Sequence, residues 1–149
     1  MNSYTQIICG LVVFYVGLRM FAGGAKSLGN IDHLSWFTAN PMYMFFGGLI
    51  MTIIWQSSSL STTAVVALVA GGALAGPDKL PAVIACLIGC NLGTTFTAHL
   101  AAIFSAKEMS NWYQSEGFRV AMIHSGMNVF MAVMLLPFIY PIARLVSRF

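Results

Sequence analysis

Residues 41–75 read PMYMFFGGLIMTIIWQSSSLSTTAVVALVAGGALA, and the polar run Gln56-Ser57-Ser58-Ser59 within them decides the fold. Asn40 followed by Pro41 is a helix start, an amide cap before a residue whose fixed φ suits the first helical position. Met42 to Trp55 is then apolar for about 14 residues, roughly 21 Å as a helix, which is too short to cross a bilayer. After the polar run come Ser61, Thr62 and Thr63, and apolar sequence resumes from Ala64 to Ala75. Two half-length apolar helices thus flank a hydroxyl-rich break over Gln56 to Thr63. Lipid cannot satisfy a broken backbone, so a break at membrane depth survives only inside protein or beside water. A single continuous helix would turn the hydroxyls to every face, lipid included. A re-entrant helical hairpin over 41–75, with Gln56 to Ser59 at its tip, fits better.

Working outward, Tyr4 to Gly23 is one apolar stretch of roughly 20 residues, about 30 Å as a helix, and is expected to span. Arg19 near its end reaches the interface by snorkelling. Residues 31–38 mix Ile31, Leu34, Trp36 and Phe37 with Asp32, His33 and Ser35, as a short interfacial helix anchored by Trp36 would. Gly76-Pro77-Asp78-Lys79 is a surface turn. Residues 80–106 are long enough to span, but their centre reads Gly89-Cys90-Asn91-Leu92-Gly93-Thr94-Thr95. The Gly89/Gly93 spacing has a packing explanation, the close approach of a neighbouring helix. Asn91 beside Thr94, Thr95 and Thr97 favours a discontinuous helix whose freed backbone groups line a site. Residues 118–148 give a last span, bent or ended by Pro137 and Pro141. His124 and Asn128 share one face of it, either bonding a neighbouring helix or lining a site. His99 is read as a structural histidine rather than a proton relay.

Composition agrees with a membrane chain. Of 149 residues, 58% are hydrophobic and 7% charged, too few charges to cover the surface of a water-soluble domain. The net charge of +3 comes from scattered residues, so no basic patch points to nucleic acid. Cys9, Cys86 and Cys90 lie in apolar runs as small hydrophobes, without the His, Asp or Glu that would complete a metal set. Met1 to Gln6 contain no Lys or Arg and so lack a signal peptide's basic start, and the first apolar run is taken as retained. The fold class expected is therefore all-α integral membrane, with three crossings and one re-entrant hairpin.

Most of the intramembrane polarity sits in Gln56 to Thr63 and Asn91 to Thr97. A helix that ends there presents carbonyls that suit Na⁺, and one that begins there presents amides that suit an anion. Ser, Thr, Asn and Gln side chains add neutral oxygens for a hard cation and donors for oxyanion oxygens. An anion so held lacks a nearby Lys or Arg, so a co-bound cation would partly neutralise it. An enzyme with Ser57, Ser58 or Ser59 as nucleophile and His99 or His124 as base is disfavoured: nothing places a base beside one particular serine. No organic cofactor is expected.

These residues carry a resemblance. Asn40-Pro41, Gln56-Ser57-Ser58-Ser59 and Gly89-Cys90-Asn91-Leu92-Gly93-Thr94-Thr95, in this order and spacing, resemble the type II sodium/phosphate cotransporter family. Gly17-Leu18-Arg19-Met20 with Gly24 looks like that family's first helix, and His124 with Asn128 like its His-x-x-x-Asn pattern near the end. The resemblance implies sodium-coupled uptake of inorganic phosphate, with the hairpin tip forming the substrate and sodium site. The substrate and ion site is expected to use Gln56, Ser57, Ser58, Ser59, Thr62, Thr63, Asn91, Gly93, Thr94 and Thr95, with His124 and Asn128 in support. Sodium is expected at Gln56, Ser59, Asn91 and Thr94.

Family members usually carry two inverted copies of this unit, and this chain has one. Three crossings put its ends on opposite sides, so a second copy must insert upside down to rebuild an inverted-repeat transporter. An antiparallel homodimer in the cell (inner) membrane, multi-pass, is the resulting expectation. Alternatives are a half-transporter with a separate, oppositely oriented partner chain, an excised half of a longer protein, and a structural or regulatory subunit that does not transport. Lys26, Lys79, Arg144 and Arg148 on one side outweigh Lys107 and Arg119 on the other, which weakly favours a cytoplasmic C-terminus.

Overall fold

A computed structural model of the chain describes residues 2–28, 35–106 and 109–148, and within these it is helical throughout, with short connections. The first helix, α1, runs Ser3–Leu28, longer than the apolar stretch that nucleates it, and its sides are largely exposed where it does not touch α4. Residues 29–34, which include the first half of the expected interfacial helix, lie outside the described residues. Its remainder is a single turn, α2 (Ser35–Ala39), where Trp36 packs edge-on against Tyr43 with ring centroids 5.5 Å apart.

Helix α3 (Pro41–Trp55) starts as its sequence requires. The Asn40 side chain accepts the Met42 N–H at 2.9 Å, and Pro41 occupies the first turn, where no amide is missed. It ends at Gln56, which adopts a left-handed conformation at φ 53° and ψ 25°. Ser57 then caps α4 (Ser58–Ala70) by accepting the Leu60 N–H at 3.2 Å. The break therefore spans two residues rather than the eight expected. Ser58 to Thr63 are helical, because the Ser57 cap lets α4 start at once and the Ser61 hydroxyl donates back to the Ser57 carbonyl at 3.0 Å.

Helix α5 runs Leu80–Ser105 without interruption, which corrects the expected discontinuity at its centre. The hydroxyls there bond within the helix: Thr94 donates to the Asn91 carbonyl, and Thr95 to that of Leu92 at 2.8 Å. The glycines serve close packing instead. A Cβ on Gly89 would run into the Phe45 carbonyl of α3. One on Gly93 would lie 2.7 Å from the Thr52 Cβ, and one on Gly48 would strike the Cys86 carbonyl. Among helices in lipid, where apolar burial gives little drive, this approach supplies the van der Waals contact that holds two helices together.

The same contacts set direction. Gly89 faces Phe45 and Leu49, and Gly93 faces Leu49 and Thr52, so contacts advance together and α3 runs parallel to α5. The chain has to come back between them, and α4 with the 71–79 connection brings it back. Leu74 accordingly joins Met44, Val65, Ala82, Val83, Cys86 and Cys90 in one buried cluster at the start of α5. The two thiols are buried there, as small hydrophobes.

Helix α6 (Glu116–Leu135) is capped by Ser115 and packs antiparallel to α5, since Gly117 lies beside Ala102 and Asn128 beside Thr94. Pro137 sits in a 3-10 turn, Leu136–Phe138, that bends the chain into α7 (Ile139–Val146), as its missing N–H dictates. Ala132 and Ile139 close a second cluster with Phe45, Ala85 and Ile88. Among the described residues, three helical stretches are long and apolar enough to cross a membrane: Ser3–Phe21, Leu80–Ser105 and Glu116–Val146. Pro41–Trp55 and Ser58–Ala70 are apolar but shorter.

Candidate functional site

The tip between α3 and α4 is built on Gln56. A left-handed residue is usually glycine, because a Cβ is strained there. Gln56 bears that strain, and its side-chain amide donates to the Ile53 carbonyl, one of the groups that the end of α3 leaves without a partner. Ser57 gives one lone pair of its hydroxyl to the cap, which leaves the O–H to donate elsewhere. Ser58 and Ser59 form the first turn of α4, where amide N–H groups point out of the helix end and the dipole favours an anion. Ser59 and Thr62 are exposed, whereas Ser58 is half-buried. Thr63 faces α1 in an apolar cleft of about 340 Å³ lined by Phe14, Gly17, Phe21, Trp55, Leu60 and Ala64.

The second polar group lies at the middle of α5. Asn91 is exposed, and Thr94 and Thr95 are half-buried. Thr94 accepts a hydrogen bond from the Asn128 amide of α6 at 3.2 Å. The same amide nitrogen lies 3.1 Å from His124 Nε2. With the amide donating to both, the ring proton of His124 is on Nδ1, which is buried and without a partner. Of the two roles open to His124 and Asn128, the geometry supports the helix–helix bond, and it places that bond beside Asn91. Ser125 and His99 form a second link across the same seam, 3.3 Å apart.

The two groups meet through register. Thr52 lies against Gly93, and Gln56 follows Thr52 by one turn, about 6 Å along α3. Because α3 and α5 are parallel, the tip stands at the level of Thr94 to Thr97. Among the described residues, no side-chain hydrogen bond joins Gln56 to Ser59 with Asn91 to Thr95; Gly93 contributes closeness rather than a ligand. Two hydroxyls escaped the sequence, Thr52 at 0% exposure and the half-buried Ser125, while Ser61, read there as part of the polar break but not as a ligand, is also at 0% exposure. Thr52 had one available signal, since four residues before Gln56 is the same side of a helix.

No Asp, Glu, Lys or Arg occurs in α3, α4 or α5. The charge available at the tip is therefore that of helix ends: carbonyls closing α3 and amides opening α4. Among the described residues, no three His, Cys, Asp or Glu side chains are placed to hold a metal ion. Neutral oxygens in such a setting suit a weakly demanding cation with an oxyanion beside it.

Comparison with known proteins agrees with this chemistry. The family model described as Na⁺/Pi-cotransporter matches residues 6–140. Sodium-dependent phosphate transport protein 2A of Ovis aries is 28% identical over 145 residues, covering 93% of this chain and 21% of that protein. Sodium-dependent phosphate transport protein 2B of Homo sapiens is 28% identical over 130 residues, covering 87% and 18%. Uncharacterized protein YqeW of Bacillus subtilis is 31% identical over 104 residues, covering 68% and 32%. The chain thus spans about a fifth of the length of the curated phosphate transporters it matches. No solved structure matches it.

Proposed function

Because the chain belongs to the Na⁺/Pi-cotransporter family, we propose that it carries out sodium-coupled transport of inorganic phosphate as one half of a two-copy site. The observation that carries this reading is the uncharged tip at Gln56 and Ser57, set at the level of the polar centre of α5. Phosphate takes the amides that open α4 together with the hydroxyls of Ser57, Ser58 and Ser59, with Thr62, Thr63 and Thr95 at its margin. Sodium takes the oxygens of Gln56, Ser59, Asn91 and Thr94, and its charge offsets that of the anion where no Lys or Arg can. Gly93 keeps the two helices close, and His124 and Asn128 hold α6 against Thr94.

In the membrane, 41–75 acts as a re-entrant hairpin. The parallel run of α3 and α5 supports this, since α4 must return the chain to the side from which α3 set out. With α1, α5 and α6 crossing, the ends lie on opposite sides of the cell (inner) membrane.

The working unit is an antiparallel homodimer or a pair with an oppositely oriented partner chain. Asn91 favours a pair: it is exposed, and it is twelfth of the 26 residues of α5, so it stands close to the bilayer centre, where an amide facing lipid is costly. A two-fold axis in the membrane plane passes near that depth. An asparagine is self-complementary across it, having both donors and an acceptor.

Liposomes containing only the purified chain test the function. An inward Na⁺ gradient is expected to drive uptake of labelled phosphate, and choline in place of Na⁺ to abolish it. Sodium-independent uptake, or none, contradicts the proposal, and the second result favours a subunit that needs a partner chain.

A further inference from the structure

Hydroxyls in these helices share one way of finding a partner. Thr94 bonds back to Asn91, Thr95 to Leu92, Ser61 to Ser57 and Ser105 to Ala102. Thr52 and Thr97 do not: both Oγ1 atoms are buried and have no hydrogen-bond partner. Thr52 is at 0% exposure, and the polar group beside it is the Cys90 thiol, a weak hydrogen-bonding partner. A hydroxyl stripped of water and given at best a thiol in return costs stability, and the described residues hold two of them.

Both belong to one seam. Thr52 faces Gly93 directly, and Thr97 follows Gly93 by four residues, one turn further along the same side of α5. Gln56 follows Thr52 by the same step along α3. The seam therefore leads from Thr52 past Gly93 to Thr97, beneath the left-handed break where the last turn of α3 leaves carbonyls without intrahelical partners. Those carbonyls are the negative end of the α3 dipole. With no carboxylate on α3, α4 or α5, a divalent ion would find nothing to neutralise it there.

The geometry points to a second cation seat, reaching from the level of the tip to one turn below it. A dehydrated monovalent cation is held there by Thr52 Oγ1, Thr97 Oγ1 and the terminal carbonyls of α3. This rests on the reading of the chain as sodium-coupled and adds to it two ligands, Thr52 outside the polar runs of the sequence and Thr97 at the end of one. In the seat each hydroxyl turns a lone pair to the ion, and its proton is left for a carbonyl in its own helix. The glycine between the two threonines is what lets α3 and α5 come near enough to share one ion.

Thermal unfolding of the purified full chain in detergent tests the seat, with NaCl replacing choline chloride at constant ionic strength. Sodium is expected to raise the Tm of the wild type. T52V and T97V are each expected to raise the half-saturating Na⁺ concentration by roughly tenfold or more, whereas T52S and T97S stay within about twofold. In choline alone, T52V and T97V are expected to be at least as stable as the wild type, because each replaces an unpaired hydroxyl with a methyl group. That control separates a lost ligand from a lost fold. An unchanged half-saturating concentration in folded T52V and T97V, or no effect of Na⁺ on the wild type, overturns the seat. If Ser59→Ala abolishes the Na⁺ effect while T52V keeps it, the seat is overturned and the transport proposal stands. A Na⁺ effect that requires Thr52, in a chain that moves no phosphate, upholds the seat and removes the transport proposal.

Discussion

Gly93 of α5 and Thr52 of α3 stand so close that a Cβ on the glycine would lie 2.7 Å from the threonine Cβ and 2.9 Å from the Leu49 carbonyl. Neither obstacle is the far end of a flexible chain, so any side chain at 93 must push the helices apart. Gly93→Ala is expected to lower stability by about 1–3 kcal/mol, the usual cost of overpacking. Gly10→Ala on α1, where nothing lies within 4 Å, is expected to raise it by up to about 1 kcal/mol, alanine's helix preference over glycine. Thermal unfolding in detergent measures both, and equal melting temperatures would show that the seam is looser than these contacts.

Gln56 combines a strained backbone with a functional side chain, and substitution can part the two. Gln56→Gly removes the strain of the left-handed conformation, worth about 1–2 kcal/mol, and also removes the side-chain amide. The variant is expected to melt no lower than the wild type while its apparent Na⁺ affinity falls roughly tenfold, the loss of one cation oxygen. An unchanged Na⁺ dependence of uptake would assign Gln56 to the turn alone.

The link between α5 and α6 passes through the Asn128 amide to Thr94 Oγ1. A double-mutant cycle with Asn128→Ala and Thr94→Val, read by unfolding in detergent, is expected to give a coupling near 0.6 kcal/mol and no more than about 1.7, the span found for interhelical hydrogen bonds in membranes. A coupling of zero would mean that the two side chains do not bond in the folded chain.

Much of the architecture was legible because single residues dictated it. Asn40-Pro41 marked the start of α3, Gln56 marked its end, and Pro137 marked the bend before α7. The centre of α5 was misread because Gly89 and Gly93 support two structures, an unwound helix or a tightly packed one. What decides between them is the backbone of Phe45, Leu49 and Thr52, some forty residues earlier. The hydroxyls of Thr94 and Thr95 argued for a break only while their partners were unknown, and both bond within the helix. Shared faces could be read from spacing, as for His124 and Asn128, but their partner on the other helix could not. Thr52 was hidden for the opposite reason: one hydroxyl in an apolar run has no pattern around it, and only burial without a partner singles it out.

The proposal that two oppositely oriented copies form the working unit is tested most directly by orientation. In a background without Cys9, Cys86 and Cys90, single cysteines at Asp78, in the turn before α5, and at Gln114, in the connection before α6, are labelled in intact cells with an impermeant maleimide. Each site is expected to label in roughly half of the copies, and in all of them after permeabilisation, because an inverted pair shows either end to either side. Complete labelling of one site with none of the other would fix a single orientation and contradict the antiparallel homodimer.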